Sequence, residues 1–246
     1  MKPICTAVIV AAGKGRRMGT EVSKQFLPLC GKEILAHSVE KFEKAEKIRD
    51  IVLVTGEDSL QDVREMAQEY GWKKIVSVVA GGKERQDSVW NGLQVVSGDT
   101  DIVLIHDGVR PFVTEDILNQ SIETAVEMGG CVAGVPAKDT IKVCKGGLVE
   151  HTPDRRSLMA VQTPQVFDYD ILRGALKKAK EEGREVTDDC SAVEMMGVKV
   201  KTVTGDERNL KITTPMDLKI AEMLLEGMQC GSDTDTMYIA WSPDGN

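Results

Sequence analysis

Six short apolar, β-branched runs punctuate this chain, with helical segments between most of them, and that alternation limits the fold more than any other feature. The candidate strands are Ile4–Val10, Ile51–Val54, Ile75–Val79, Ile102–Ile105, Cys131–Val135 and Val198–Val203. Between them, Ile34–Phe42, Leu60–Tyr70, Asp87–Val96 and Ile117–Met128 repeat apolar residues every three or four positions, which is the period of an amphipathic helix. Parallel strands need a crossover rather than a hairpin to join them. The alternation therefore predicts an α/β fold: a Rossmann-like, mainly parallel twisted sheet with helices on both faces and right-handed connections. Ligands of such sheets sit beyond the carboxyl ends of the strands.

Two regions depart from the pattern. From Ala137 to His151, short alternating runs flank Gly146-Gly147, the composition of a tight hairpin turn. A two-stranded ribbon alone is marginal in water and needs something to pack on, so this segment, about 137–156, reads as a projecting dimerisation arm. Beyond Glu226 the chain turns polar and loses its period. The expected organisation is one domain over 1–226, with the arm inserted in it, and a weakly ordered tail over 227–246.

Composition narrows the partners. The net charge of −8 over 246 residues leaves no long basic face for nucleic acid. No apolar run approaches the roughly 20 residues that span a bilayer, and Met1-Lys2-Pro3 runs straight into a strand without a cleavable signal, so a cytoplasmic location is expected. The six cysteines, at 5, 30, 131, 144, 190 and 230, form no CxxC pair, and only three histidines, 37, 106 and 151, are present. A disulfide framework or a His/Cys metal centre is not expected, and Cys5 and Cys131 read as small buried residues.

Against that acidic average stands one basic loop. The first strand opens into Ala11-Ala12-Gly13-Lys14-Gly15-Arg16-Arg17-Met18-Gly19, and Lys24-Gln25-Phe26 follows. Glycines let backbone N–H groups close around phosphate oxygens, and several cations neutralise several negative charges at once. No Walker A spacing exists, and Met18 stands where a dinucleotide fingerprint needs its third glycine. Dinucleotide loops also hold pyrophosphate mainly through backbone groups. Lys14, Arg16, Arg17 and Lys24 instead suit a nucleoside triphosphate; the plainer alternative is a basic surface loop.

Other clusters fall at predicted strand ends: Gly81-Gly82-Lys83-Glu84-Arg85-Gln86-Asp87-Ser88 after the third, and His106-Asp107-Gly108-Val109-Arg110-Pro111 after the fourth. The glycines of the first permit close approach to a planar base, unless it is a simple helix-entry turn. Asp107 is either an N-cap or turn residue, or a carboxylate near Mg²⁺ or a substrate hydroxyl, since triphosphates arrive with a metal that takes oxygen ligands. Asp154-Arg155-Arg156 and Asn209-Leu210-Lys211-Ile212-Thr213 each carry a cation that, singly, would read as a solvated surface charge.

Taken in order, AAGKGRRM, SKQFL, GGKERQDSV, HDGVRP, AKDT, the DR before QTPQVF, TDDCSAVE and NLKITTPMDL resemble the 2-C-methyl-D-erythritol 4-phosphate cytidylyltransferases over residues 4 to about 226. Ser23 stands where proline is usual, and Gly108-Val109 replaces a frequent Ala-Ala; neither change removes a charged group. The resemblance implies that Arg17 and Lys24 stabilise the transition state at the CTP α-phosphate, and that Arg155 and Lys211 position methylerythritol phosphate. It implies that Ala11, Ala12, Gly13, Lys14, Gly15 and Arg16 contact the nucleotide, that Gly82 and Ser88 read cytosine, and that Gly108 lies by the ribose. Asp107, Arg110, Thr140, Thr163 and Thr187 would line the acceptor pocket. It also implies Mg²⁺ with CTP and a homodimer whose arms interlock, Thr140 and Arg155 serving the neighbour's site.

Three rivals remain on the sequence. A ribitol 5-phosphate cytidylyltransferase would share the basic loop, KQFL and QTPQ, but more often has Ala-Gly-Gly where Ala11-Ala12-Gly13 stands. A non-catalytic nucleotide sensor has no use for cations aimed at a transition state. A dinucleotide oxidoreductase fails on glycine spacing.

Overall fold

A computed structural model describes residues 2–13 and 23–230. In chain order the strands and helices are β1 (Cys5–Ala11), β2 (Pro28–Leu29), β3 (Lys32–Glu33), α1 (Ile34–Lys44), β4 (Ile48–Thr55), α2 (Leu60–Glu69), β5 (Ile75–Ala80), α3 (Arg85–Leu93) and β6 (Ile102–Asp107). They continue with α4 (Glu115–Met128), β7 (Gly130–Pro136), β8 (Val143–Lys145), β9 (Leu148–His151), β10 (Met159–Asp168), α5 (Tyr169–Glu181), α6 (Asp189–Glu194), β11 (Lys201–Thr204) and α7 (Pro215–Cys230).

Seven strands form the central sheet in the order β11-β7-β10-β6-β1-β4-β5. Every neighbouring pair is parallel except those of β10, which runs against both β6 and β7. The mainly parallel sheet predicted from the alternation is thus present, with one reversed strand. Successive side chains of a strand point to opposite faces, and the apolar runs use both. Ala7, Ile9, Ile51, Leu53 and Leu104 pack with α1, α2 and α4. Val8, Val52, Val54, Val103 and Ile105 pack with α3, α5 and α6 on the other side. A smaller apolar group joins α7 to Leu29, Ile34, Val109 and Phe112.

Helix ends follow local chemistry. Thr114 caps α4 by accepting from the Ile117 N–H, and Gly129 ends it at φ 80°, a left-handed turn that glycine adopts without a Cβ clash. Cys5 and Cys131 are buried, as their apolar surroundings predict. The 137–151 hairpin is present as β8 and β9, with Gly146 and Gly147 at φ 58° and 80°, the positive values of a two-residue hairpin turn. Its strands are exposed along their length, Leu148 at 77%.

The sequence reading lacks β10, α5, α6 and α7. Gln162-Thr163-Pro164-Gln165 breaks the apolar run of β10, and the pairing with β7 shifts register between Val161 and Gln165, where a proline without an N–H is tolerated. Helix α7 runs to Cys230, so the ordered chain extends past the expected boundary at 226. The rest of the expected tail, 231–246, lies outside the described residues, as do Lys14, Gly15, Arg16 and Arg17. Among the described residues no helix is long and apolar enough to cross a membrane.

Candidate active site

The carboxyl ends of β1, β5 and β6 open on one cavity, whose lining includes Ala11, Ala12, Gly13, Gly82, Asp107 and Lys211. Parallel strands bring these ends together although Ala12 and Lys211 lie far apart in the chain. Lys24, first residue of a 3₁₀ turn over Lys24–Phe26, also faces this cavity.

The loop after β5 is built around glycine. A Cβ on Gly81 would stand 2.3 Å from the Ala12 Cβ, and one on Gly82 would stand 2.2 Å from the Asp87 Cβ. Ser88 pins this loop: its hydroxyl accepts from the Gly82 N–H at 3.0 Å and donates to the Glu84 carbonyl at 3.1 Å. That N–H is thus committed to Ser88.

Asp107 ends β6, almost wholly buried, and its carboxylate gathers three cations. Lys211 Nζ lies 2.9 Å from Oδ2, Arg110 Nε 3.4 Å from Oδ2, and Arg85 Nε 3.4 Å from Oδ1. Burial alone would raise the Asp107 pKa, but Arg85, Lys211 and Arg110 together hold it well below the usual carboxylate range. Arg85 also donates to Asp189 Oδ2 at 2.8 Å; burial pushes that carboxyl up while Arg85 opposes the rise. Arg110 is anchored a second time on the Asn209 carbonyl, 2.8 Å from Nη1. The cluster holds three cations against two carboxylates, an excess that suits an anion.

A neutral hydrogen-bond chain supports Asp107 from behind. Its N–H donates to Thr163 Oγ1 at 3.1 Å, and that hydroxyl lies 3.0 Å from His106 Nδ1. The other ring nitrogen of His106, Nε2, lies 3.1 Å from the Arg110 carbonyl, which can only accept. The proton therefore sits on Nε2, and Thr163 donates to Nδ1. Burial lowers the His106 pKa to about 4, so the imidazole stays neutral. Thr163 is thus spent on Asp107 and His106 rather than aimed outward.

Three comparisons with known proteins place the chain in a family. A family model described as 2-C-methyl-D-erythritol 4-phosphate cytidylyltransferase (IspD) matches residues 5–227. The chain belongs to that family. Enzymes of that name from Geotalea uraniireducens (strain Rf4) and Alkaliphilus oremlandii (strain OhILAs) are 48% and 45% identical over 226 and 223 residues, covering 91% and 90% of this chain and 97% and 94% of theirs. The crystal structure of the 4-diphosphocytidyl-2C-methyl-D-erythritol synthase from Anaerococcus prevotii DSM 20548 superposes with a TM-score of 0.82 at 29% identity, covering 92% of this chain and 97% of that one. The Francisella tularensis cytidylyltransferase gives 0.76 at 30%, covering 89% and 99%.

The residues that the IspD resemblance singles out divide into three groups. Ala11, Ala12, Gly13, Lys24, Gly82, Ser88, Asp107 and Lys211 all line the one cavity, and Arg110 and Thr163 join it through Asp107. Gly108 lies beside them, but its N–H goes to the Val10 carbonyl and its own carbonyl accepts from Ser38. A Cβ there would meet Ala11 and Leu35 at 3.0 Å, so what Gly108 presents is close approach. Thr140, Thr187 and Arg155 stand apart, all exposed. Arg155 donates to the Lys138 carbonyl at the base of the arm, and Thr187 meets Ser191.

Sequence reasoning passed over Arg85, Asp189, Gln165 and Asn209. Arg85 sat in a quoted motif, and a cation three residues after a double glycine at a strand end was the available signal. Asp189 and Gln165 sat in the quoted TDDCSAVE and QTPQVF motifs, but nothing local marked their roles, because their partners come from distant segments. As for a metal, Asp107 already holds cations on both oxygens, and among the described residues no three His, Cys, Asp or Glu side chains gather to hold an ion. These residues do not fit a metal site built by the protein.

Proposed function

We propose that this cavity is where a cytidylyltransferase joins CMP from CTP to 2-C-methyl-D-erythritol 4-phosphate and releases pyrophosphate. One juxtaposition carries the assignment to these residues: the glycines and alanines of the nucleotide loops, Ala11, Ala12, Gly13 and Gly82, line the same cavity as Lys24, Asp107 and Lys211. Arg17 and Lys24 neutralise the triphosphate, the Gly82 carbonyl takes the cytosine amine, and Lys211 with Arg155 holds the acceptor's phosphate. Asp107, Arg110, Thr140 and Thr187 complete the acceptor side, and Thr163 serves it from behind by holding the Asp107 backbone. CTP enters as its magnesium complex, the ion riding on phosphate oxygens.

The chemistry needs no general base. A phosphate monoester has a second pKa near ~6 and is mostly a dianion at neutral pH. Its oxygen attacks the α-phosphorus of CTP, the new P–O bond forms, and the bond from the α-phosphorus to the bridging oxygen breaks to release pyrophosphate. The barrier is charge, because an anion approaches an anion. Fixed cations and positioning lower it. The neutral, buried His106 fits this account, since it supports Asp107 without moving a proton.

Homodimerisation through the arm explains why Thr140 and Arg155 lie away from their own cavity. Exposed Ile141, Leu148 and Val149 on the arm, with Met159 and Val161 at its base, provide the apolar surface that a second copy would cover. The enzyme would work in the cytoplasm.

The test is pyrophosphate release with CTP and magnesium over a panel of polyol phosphates. Phosphate contacts cannot separate one polyol phosphate from another, so selectivity falls to hydroxyls and the branching methyl. A missing methyl contact is worth ~1–3 kcal/mol and an unpaired buried hydroxyl partner more, so methylerythritol phosphate should exceed ribitol 5-phosphate by at least about a hundredfold in kcat/KM. Equal or better turnover of ribitol 5-phosphate would overturn the acceptor and leave cytidylyl transfer standing.

A further inference from the structure

Arg85 ties together three segments that sequence keeps far apart. Its backbone begins α3, directly after the glycine loop. Its guanidinium reaches the end of β6 through Asp107 Oδ1 at 3.4 Å and the start of α6 through Asp189 Oδ2 at 2.8 Å. Asp189 is almost wholly buried, and among the described residues its Oδ1 has no hydrogen-bond partner and Arg85 is the cation on its Oδ2. The backbone under Asp189 is fixed in turn by Gln165 of β10, whose Oε1 accepts from the N–H groups of Asp189 and Cys190, both at 3.0 Å. The Gln165 amide also donates to Asp188 Oδ2 at 2.8 Å. Arg85 is therefore anchored at its far end by a rigid, buried seat.

That anchoring decides how the Asp107 carboxylate can turn. Arg85 draws on Oδ1, leaving Oδ2 to Lys211 and Arg110. Arg110 would not follow Asp107 if the carboxylate rotated, because the Asn209 carbonyl holds its other arm. Lys211 differs: its ion pair is with Asp107 at 2.9 Å, and its side chain is 36% exposed toward the cavity. An ammonium on a flexible stem goes where its carboxylate goes. With Oδ1 released from Arg85, both oxygens could close on Lys211 and draw its charge back from an incoming phosphate.

We propose that Arg85, anchored on Asp189, is a positioning residue that holds the Asp107 carboxylate so that Lys211 faces the acceptor's phosphate. This rests on the reading of Lys211 as a ligand of that phosphate. A lysine at 85 carries its donors on a single nitrogen, so it does not reproduce the span by which Nε meets Asp107 while Nη1 meets Asp189.

The experiment measures kcat, both KM values and thermal midpoints for the full-length enzyme carrying Arg85→Lys, Arg85→Gln or the isosteric Asp189→Asn. The same Arg85 changes are then made in a Lys211→Met background. Expected is a rise of about tenfold in acceptor KM for each single variant, with the KM for CTP moving by less than about twofold. In the Lys211→Met background, Arg85→Lys should add less than about twofold, because residues that act through one another are not additive. Fully additive effects, an equal rise in both KM values, or a fall in thermal midpoint with unchanged KM would each overturn the proposal. If Lys211→Met itself leaves acceptor KM unchanged, the reading of Lys211 fails first and takes the proposal with it.

Discussion

Asp107→Asn removes one negative charge from a site that holds three positive ones, and its consequences can be worked out from the geometry. Arg85, Arg110 and Lys211 lie within 3.4 Å of the carboxylate. Removing one partner of a buried ion pair typically costs about 3–5 kcal/mol, because the remaining charge stays buried and uncompensated. Here Lys211 is a third exposed and can turn to water, so its share is screened. Arg110 is only 11% exposed and Arg85 27%, and Arg85 keeps Asp189. The expected loss is therefore at the low end, about 3 kcal/mol, read from urea unfolding followed by circular dichroism. The same substitution strengthens anion binding. Inorganic phosphate at about a hundred times its Kd adds about 2.7 kcal/mol to the stability of the form that binds it. Wild type gains less, since Asp107 competes for the same cations. The gap between variant and wild type should then narrow as phosphate is added. A loss below about 1 kcal/mol would refute the idea that Asp107 compensates these charges, and a gap indifferent to phosphate would refute the anion site.

Three other outcomes are expected. His106, with its pKa lowered from 6.5 to about 4 by burial, should stay neutral in an NMR titration. A depressed histidine contributes stability above its unfolded pKa and loses it as pH falls toward the folded value, here about 2 kcal/mol between about pH 7 and pH 5; an imidazole titrating near its ordinary value would contradict this. Arg17→Ala and Lys24→Ala should each lower kcat by ~10²–10³ with little change in the KM for CTP, and a variant that only bound CTP weakly would lack a transition-state role. Mixing Arg17→Ala with Arg155→Ala should restore part of the activity, because one mixed site per heterodimer keeps both residues; no rescue after demonstrated subunit exchange would exclude action of Arg155 in the neighbour's site.

What the sequence made legible, and what it hid, divides along the range of the interactions. Strands buried on both faces read as continuous apolar runs, so β1, β4, β6 and β7 were visible without any knowledge of their partners, and the part-exposed edge strand β5 was visible by its β-branched residues. The hairpin turn was visible because two glycines at positive φ are a local requirement. Strand β10 was invisible for the opposite reason: Gln162, Thr163 and Gln165 are buried polar residues in a central strand. Their burial is tolerated because Asp206, His106 and Asp188 supply hydrogen bonds from elsewhere in the chain. The candidate site behaves alike. Lys211 and Asp107 each read singly as a surface charge or a turn residue, and become a site only when residues 104 positions apart fold back to a 2.9 Å contact. Ordered motifs of a family supplied that pairing where periodicity could not.

The reversed strand also accounts for where the arm leaves the domain. Strand β7 ends at Pro136, on the same edge of the sheet where β6 ends at Asp107, because the two run in the same direction. Strand β10 runs oppositely, so it starts at Met159 on that same edge, paired with Pro136. Residues 137–158 must therefore project from the carboxyl-end face, on the side that carries the cavity. An insertion between two parallel strands would have been spent on a crossover across the sheet. Antiparallel order leaves it free to extend as an exposed hairpin, with Arg155 at its return. Thr163, four residues into β10, is set by the same reversal against the Asp107 N–H. One strand direction thus fixes the support beneath Asp107 and brings the arm out on the face that carries the cavity.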